Sequence, residues 1–318
     1  MVMTFIMGEN EEARKRRSAQ IQQWTEAFES LLDKNEFIAW PNVKNPNSVE
    51  FAAVWNQPAG IFNELPNLKC ISSIGAGVNH IFNDPSLPEN VPVVRVTDEK
   101  LSRDMVHYVL QTVLNITRMQ DYFIEGQHKK KWRQHPPFTL NDETMVGVMG
   151  LGVIGEKIAR ALQQLDIPVI GWSRRQKNIE GVQCYDEAAF NMFLKQTKIL
   201  VCILPLTPQT TGIINQNTLK QLPRGAYVIN IARGQHVVDE DLIRAIDSGY
   251  IAGAKLDVFH IEPLPSDHPF WTHPKIGITP HNAGVSDPLS CAKKIVENYR
   301  RLQAGKPLIN ITERSQGY

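Results

Sequence analysis

The feature that most constrains the fold of this chain is a glycine-rich turn between an apolar run and an amphipathic stretch. The turn has the sequence Gly150-Leu151-Gly152-Val153-Ile154-Gly155. Apolar residues fill 145–149 before it, and they recur at helical spacing over 156–165 after it. In this context Gly150 permits a tight turn, Gly152 lets the backbone approach a pyrophosphate, and Gly155 lets helix and strand pack closely. Because a helix N-terminus also favours phosphate, the sequence predicts a dinucleotide-binding unit.

The rest of the chain alternates short β-branched runs with helical stretches. After the glycine turn, further strands and helices are predicted at 169–172, 199–204, 227–231, 239–248, 253–258 and 276–279. In the first hundred residues, which contain no glycine-rich phosphate loop, strands are predicted at 52–54, 69–74 and 93–95. Such alternation is typical of parallel sheets with crossover helices. The predicted fold class is α/β, with two Rossmann-like domains: a dinucleotide-binding lobe and a flavodoxin-like substrate lobe.

Two amphipathic stretches set the predicted domain boundaries. Residues 102–124 carry apolar side chains at helical intervals and could bridge two domains, and 286–302 shows the same pattern. If the second helix packs on the first lobe, the cofactor domain is an insertion, with hinges near both stretches. The predicted domains are a substrate domain, 1–104 completed by 286–318, and an NADP-binding domain, 105–285.

The composition argues against several classes of protein. Of the 318 residues, 42% are hydrophobic and 21% are charged, as expected for a globular chain with packed cores. The longest apolar run, 199–204, is far short of the roughly 18 residues that a transmembrane helix needs. Charged residues follow the apolar start at once, so we expect no secretory signal and a cytoplasmic location. The net charge of +1 favours no nucleic-acid or membrane partner, and the four separated cysteines predict neither a metal site nor disulfides.

The residues near 173 are expected to contact the ribose of the cofactor, because they lie about 20 residues beyond the glycine turn. An NAD-selective site has a carboxylate there, which accepts hydrogen bonds from the ribose hydroxyls. This chain has Ser173, Arg174 and Arg175 instead. A hydroxyl followed by two guanidinium groups suits the 2′-phosphate of NADP(H). The alternative is that both arginines point to solvent and NAD(H) binds.

Three ionisable residues follow predicted strands on the carboxyl side of the sheet, where open α/β sheets bind ligands. Arg233 offers a planar fork of donors that could hold the carboxylate and 2-oxo group of an α-keto acid. His281 could donate the proton that a carbonyl oxygen takes up when hydride adds to its carbon. Glu262 could accept a hydrogen bond from this imidazole and favour its protonated form. Each residue alone could be an ordinary loop residue, but together they predict hydride transfer to a 2-oxo acid.

Over nearly the whole chain, these motifs resemble the D-isomer-specific 2-hydroxyacid dehydrogenase family. Besides the glycine turn, the segments that carry the resemblance are 230–234, 253–263 and 279–284. The resemblance implies that Arg233 anchors the substrate, that Glu262 is the partner of His281, and that Asp257 lies near the nicotinamide carboxamide. It also implies that the substrate carboxylate is held by the backbone N–H groups of Gly75, Ala76 and Gly77. The other residues expected to contact the cofactor are Val153, Ile154, Leu204, Pro205, Ile231, Gly284 and, besides their roles toward the substrate, Arg233 and His281.

Within the family, the chain is most similar to the short bacterial glyoxylate/hydroxypyruvate reductases, through 172–174, 239–242 and the Gly317-Tyr318 end. That similarity implies NADPH-dependent reduction of glyoxylate to glycolate and of hydroxypyruvate to D-glycerate. It also implies a homodimer, in which Trp132 could close the partner's pocket; the alternative is that this tryptophan packs in the core or on the surface. Two alternatives remain open: an NAD-linked dehydrogenase for a bulkier 2-oxo acid, and a non-catalytic protein that senses the nucleotide.

Overall fold

The computed structural model describes residues 1–134 and 144–312; the Gly317-Tyr318 end lies outside the described residues. The strands are β1 (Val2–Met7), β2 (Phe37–Ala39), β3 (Val49–Trp55), β4 (Cys70–Ser73), β5 (Val93–Val94), β6 (Val146–Met149), β7 (Val169–Trp172), β8 (Gln183–Tyr185), β9 (Ile199–Cys202), β10 (Ala226–Asn230), β11 (Ile251–Leu256) and β12 (Ile276–Ile278). The α-helices are α1 (Glu11–Arg16), α2 (Ser18–Glu29), α3 (Asn79–Phe82), α4 (Glu99–Thr117), α5 (Gln120–His128), α6 (Val153–Gln164), α7 (Phe190–Gln196), α8 (Gln216–Leu219), α9 (Asp239–Asp247) and α10 (Pro288–Gln303).

These elements form two compact units. The first contains Met1–Leu101 and the described residues from Ser286 onward, and the second is Ser102–Val285. The junctions lie within a few residues of the predicted domain boundaries. The assignment of substrate binding to the first unit and of cofactor binding to the second stays a prediction.

The first unit is a parallel sheet with helices packed against it. Its described strands follow the order β2-β1-β3-β4-β5. Phe5 of β1 packs against Trp24 and Phe28 of α2, with ring centroids 6.0 and 5.5 Å away. The C-terminal helix α10 belongs to the same core, because the Tyr299 ring lies edge-on to Phe51 of β3 at 5.8 Å. The last helix therefore completes a core that begins at the N-terminus.

The second unit contains the sheet that positions the candidate site. Its described strands follow the order β12-β11-β10-β9-β6-β7-β8, and all the pairs are parallel. The order reverses at β6 and β9, and open parallel sheets bind ligands beyond the carboxyl ends of the strands at such a reversal. Met149 and Cys202 are direct partners, so the loops after them begin side by side. The two all-parallel sheets confirm the predicted α/β fold class.

The prediction of one bridging helix over 102–124 is wrong in one respect. The structure has two helices there, α4 and α5, separated at Met119, whose backbone is left-handed with φ 56°. The apolar spacing predicted burial correctly, since Val109, Val113 and Ile116 are buried. The same spacing cannot report a change in chain direction. The elements that were not predicted are β1, β2, β8, α1, α2, α3, α7 and α8.

No helix among the described residues is both long enough and apolar enough to cross a membrane.

An ion pair between α10 and the loop before β2 gives a test of acid stability. The guanidinium of Arg300 donates to both carboxylate oxygens of Glu36, at 2.7 Å for Oε2. These hydrogen bonds hold the pKa of Glu36 at about 2, below its usual 4.5. We expect Glu36→Gln to lower the free energy of unfolding at pH 7 by about 0.5–1 kcal/mol, since the pair is partly exposed. Because the folded-state pKa is lowered, the difference from wild type should shrink as the pH falls from about 4.5 to about 2.

Urea denaturation at several pH values measures this difference, with Glu29→Gln at the exposed end of α2 as the control. A loss of stability in Glu36→Gln that does not change with pH would contradict the role given to its charge.

Candidate active site

The glycine turn joins β6 to α6 and leaves space at one of its three glycines. Gly150 has φ +119°, so the backbone conformation of the turn requires glycine there. A Cβ added at Gly155 would lie 1.8 Å from the carbonyl oxygen of Gly150, so close packing requires glycine at this position. A Cβ added at Gly152 would have no heavy atom within 4 Å. Gly152 is also the N-cap of α6, where no side chain caps the helix. The open space and the uncapped N–H groups suit a phosphate, so the residues present fit the pyrophosphate of a dinucleotide.

The loop after β9 begins beside that turn. Leu204 is buried, and the Pro205 carbonyl accepts hydrogen bonds from the Thr210 hydroxyl at 2.8 Å and from a ring nitrogen of His236 at 3.3 Å. This loop is therefore held in place by one hydrogen bond within the loop and by one from the segment that follows β10.

Ser173, Arg174 and Arg175 follow β7, the strand next to β6. Both arginines are exposed. The Ser173 hydroxyl donates to the Arg175 carbonyl at 2.6 Å, which was not expected from the sequence. It would have to turn away from that carbonyl before it could donate to a phosphate. The segment contains no carboxylate that could repel a 2′-phosphate.

Arg233 lies just beyond β10, after the buried residues Ile231 and Ala232. Its turn is held by Asn230, whose side chain donates to the Arg233 carbonyl at 2.8 Å and accepts from the Ala232 N–H at 3.1 Å. Burial lowers the pKa of Arg233, and the nearby charge of Glu262 opposes this effect. An arginine still stays cationic at neutral pH, because its ordinary pKa is so high. Arg233 is thus a fixed cation close to the Glu262 carboxylate.

Glu262 and His281 form a hydrogen-bonded pair, with Nδ1 of the imidazole 2.7 Å from Oε2 of the carboxylate. The other carboxylate oxygen accepts from the Phe259 N–H at 3.0 Å. Burial opposes ionisation of Glu262, but the hydrogen bonds from His281 and Phe259 and the charges of His281 and Arg233 outweigh it and lower its pKa. Because an ionised carboxylate only accepts, Nδ1 carries a proton. The Nε2 atom is left to exchange a proton with a ligand, on a side chain that is 36% exposed.

Asp257, at the end of β11, holds the loop that carries His281. Its carboxylate accepts from the Thr279 hydroxyl at 2.6 Å and from the N–H groups of Asn282 and Ala283, both at 2.9 Å. Its carbonyl accepts from the His281 N–H at 2.8 Å. The sequence suggested only that Asp257 lies near the nicotinamide. Its hold on the loop was missed, and the available signal was an acidic residue near the end of the strand predicted over 253–258.

The remaining predicted residues are spread over both units. Gly284, partly exposed, follows the Asp257-bound loop in the second unit. Gly75, Ala76 and Gly77 belong to the first unit, where a Cβ added at Gly75 would lie 2.8 Å from the Trp55 ring. Trp132 is 93% exposed, so it packs on nothing in the described chain. Among the predicted site residues, the side chains of Glu262 and His281 share a direct hydrogen bond, and Arg233 is electrostatically coupled to this pair.

Substitution by alanine should affect stability at one glycine of the turn and ligand binding at another. Gly155→Ala should lower the free energy of unfolding by about 1–3 kcal/mol, because its Cβ would overlap backbone. Gly152→Ala should change it by no more than about 0.5 kcal/mol but weaken dinucleotide binding, because its Cβ would enter the open space. Thermal unfolding and a fluorescence titration with NADPH measure the two effects. Unchanged NADPH affinity in Gly152→Ala would contradict the placement of the phosphate.

Comparisons with known proteins agree with this geometry. Residues 109–283 match the family model described as "D-isomer specific 2-hydroxyacid dehydrogenase, NAD binding domain". A D-isomer specific 2-hydroxyacid dehydrogenase from Xanthobacter autotrophicus Py2, solved with NADPH and MES, is 37% identical, with 100% of this chain and 99% of that chain covered and a TM-score of 0.89. An NADPH-dependent glyoxylate/hydroxypyruvate reductase from Sinorhizobium meliloti, solved with NADP and sulfate, is 33% identical over 99% of each chain, with a TM-score of 0.89.

A probable 2-hydroxyacid dehydrogenase from Rhizobium etli CFN 42, solved with NADP, HEPES and L(+)-tartaric acid, is 33% identical, with 100% of this chain and 99% of that chain covered and a TM-score of 0.88. The match of the family model to more than half of the chain and the identity over its full length lead to one conclusion. The chain belongs to the D-isomer specific 2-hydroxyacid dehydrogenase family and, as predicted, is an NAD(P)-dependent oxidoreductase that acts on CH–OH groups.

Proposed function

We propose that this protein reduces glyoxylate to glycolate and hydroxypyruvate to D-glycerate with NADPH. The observation that carries the proposal is the bonded pair of Glu262 and His281, with the Arg233 cation coupled to it. A 2-oxo acid presents a carboxylate and a carbonyl oxygen, and these residues supply a cation for the first and a proton for the second. The Sinorhizobium meliloti relative, whose printed name gives this activity, supports the choice of substrates.

In the proposed reduction, Arg233 binds the carboxylate and the 2-oxo group of the substrate and thereby orients C2. The nicotinamide, when bound, supplies the hydride that C2 receives. Negative charge then develops on the carbonyl oxygen, and His281 donates its Nε2 proton to that oxygen. Glu262 stays ionised and stabilises the imidazolium before the transfer, through the 2.7 Å hydrogen bond to Nδ1. In the oxidation of the 2-hydroxy acid, the same imidazole accepts the proton.

The preference for NADPH is proposed from the segment after β7. Arg174 and Arg175 are exposed there, and the segment contains no carboxylate to pair with the ribose hydroxyls. An arginine binds a phosphate through charge-assisted hydrogen bonds, so the 2′-phosphate of NADPH should add affinity. The relatives solved with NADPH or NADP support this preference.

Three further parts of the proposal rest on the family resemblance. Gly75, Ala76 and Gly77 would hold the substrate carboxylate through backbone N–H groups. The protein would act as a homodimer in the cytoplasm, and Trp132 of one protomer would close the partner's pocket. The 93% exposure of Trp132 is what such a role requires, since a ring that served the core would be buried.

The first test follows absorbance at 340 nm with NADPH or NADH and a series of 2-oxo acids. Glyoxylate and hydroxypyruvate with NADPH should react fastest. Faster turnover of phenylpyruvate with NADH would replace the proposed function with an NAD-linked dehydrogenase for bulkier acids. No turnover of any acid, with NADPH still bound, would indicate a nucleotide-sensing protein.

Variants of the two reacting side chains should fail in different ways. His281→Ala should lower kcat by about 10²–10⁴-fold with NADPH affinity kept, because it removes the general acid. Arg233→Ala should lower kcat/KM chiefly through a higher KM for glyoxylate, because it removes the cation that binds the carboxylate. Exposed His128→Ala and Arg224→Ala are the matched controls. Rates like those of the wild type in either site variant would remove the role given to that residue.

Glu262→Gln should shift the pH dependence of reduction. The lowered pKa of Glu262 keeps its charge in place across the neutral range, where it favours the protonated imidazole. Glutamine keeps the size of the side chain but removes the negative charge beside the imidazole of His281. We expect the alkaline limb of the kcat/KM profile to move to lower pH. An unmoved limb with reduced kcat would indicate that Glu262 acts only through orientation of the ring.

A further inference from the structure

His236 is a buried histidine that the proposed mechanism does not use. It lies in the short 3₁₀ turn Gly234–His236, directly after Arg233, and its side chain is fully buried. A Cβ added at Gly234 would lie 2.0 Å from the Phe259 carbonyl carbon, so this turn also packs against the segment that leads to Glu262. A buried imidazole in such a place needs hydrogen-bond partners, and these partners define what it does.

The two ring nitrogens of His236 face different loops of the candidate site. Nδ1 is 3.2 Å from the backbone nitrogen of Arg233 and 3.0 Å from its carbonyl oxygen. Nε2 is 3.3 Å from the carbonyl oxygen of Pro205, in the loop after β9. The ring thus spans the residue proposed to bind the substrate and the loop expected to contact the cofactor.

The neighbouring bonds decide which nitrogen carries the proton. The Arg233 carbonyl already accepts from the Asn230 side chain at 2.8 Å and from the backbone N–H of His236 at 3.2 Å. The Arg233 N–H is a donor, so it needs a lone pair on Nδ1. The ring therefore accepts from Arg233 at Nδ1 and donates from Nε2 to Pro205.

The charge state agrees with this arrangement. Burial lowers the pKa of His236 most, the nearby carbonyl groups of Pro205 and Arg233 oppose this effect, and the positive charge of Arg233 adds to it. A neutral ring can accept at one nitrogen and donate at the other, whereas a protonated ring could only donate.

We propose that His236 is a positioning residue that holds two parts of the candidate site in place: the backbone of Arg233 through Nδ1, for binding of the 2-oxo acid, and the Pro205 loop through Nε2, for binding of the dinucleotide. For the contact with Arg233 (the Arg233 half), the inference rests on the proposed function. For the contact with Pro205 (the Pro205 half), it rests on the binding of a dinucleotide, as in the family.

The two hydrogen bonds of His236, to Arg233 and to Pro205, together form a bridge between these residues. Two substitutions each remove one of these hydrogen bonds and keep the other. In His236→Asn, the side-chain oxygen takes the place of Nδ1 and can accept from Arg233, but nothing reaches Pro205. In His236→Gln, the side-chain nitrogen takes the place of Nε2 and can donate to Pro205, but the Arg233 N–H loses its acceptor. The measurements are the NADPH dissociation constant by fluorescence titration, which needs no turnover, and the KM for glyoxylate with the full-length protein.

We expect His236→Asn to weaken NADPH binding by about three- to tenfold while the glyoxylate KM stays within about twofold of wild type. His236→Gln should show the reverse pattern, since each variant loses one hydrogen bond. Equal changes in both variants, or a lower melting temperature without a change in either constant, would overturn the proposal and leave a structural role only.

The test also separates failure of this proposal from failure of the proposed function. If the wild-type protein does not turn over glyoxylate, the proposed function fails, and the NADPH affinities alone decide the Pro205 half. In that case, weaker NADPH binding in His236→Asn than in His236→Gln supports the bridge, and equal affinities refute it.

Discussion

The buried carboxylate of Asp257 is the constraint on which the rest of the candidate site depends. It is a charge that is 1% exposed, and its desolvation is compensated by three donors from one short loop. Its backbone carbonyl holds the N–H of His281 as well. Together these bonds hold the loop that places the imidazole at hydrogen-bond distance from Glu262. The chemistry of the pair thus depends on a third residue that lies beneath the loop.

The sheet explains why these groups meet. Arg233 and Asp257 follow β10 and β11, which are adjacent and parallel, so both residues leave the sheet at the same edge. The backbone N–H of Asp257 donates to the Asn230 carbonyl at 3.0 Å, which continues the pairing of the strands by one step into the loops. Tyr108 of α4 adds a contact from outside the sheet, since its hydroxyl is 2.7 Å from that of Thr279. The residues of the site therefore lie together because the pairing of β10 and β11 extends into the loops that follow these strands.

The sequence allowed the fold and the pair of Glu262 and His281 to be predicted, because both follow from local patterns: alternating apolar runs, and polar residues just after strands. It did not reveal the break at Met119, since apolar spacing reports which side chains are buried and not where the chain turns. The roles of Asp257 and His236 were missed for a different reason. Most of their hydrogen bonds are to backbone groups, and a backbone group has no signature in the sequence.

The backbone of His281 is left-handed, with φ 53°. This position therefore requires both an imidazole side chain and a residue that tolerates a positive φ. Most residues avoid this region, at a cost of roughly 1–2 kcal/mol, and asparagine and glycine tolerate it best. Selection at this position therefore acts on the shape of the main chain as well as on the imidazole. A drift toward asparagine would keep the loop and lose the imidazole, and a β-branched residue would disturb the loop too. Descendants of such a chain could lose the proposed proton donor in one step while keeping a well-formed nucleotide-binding fold.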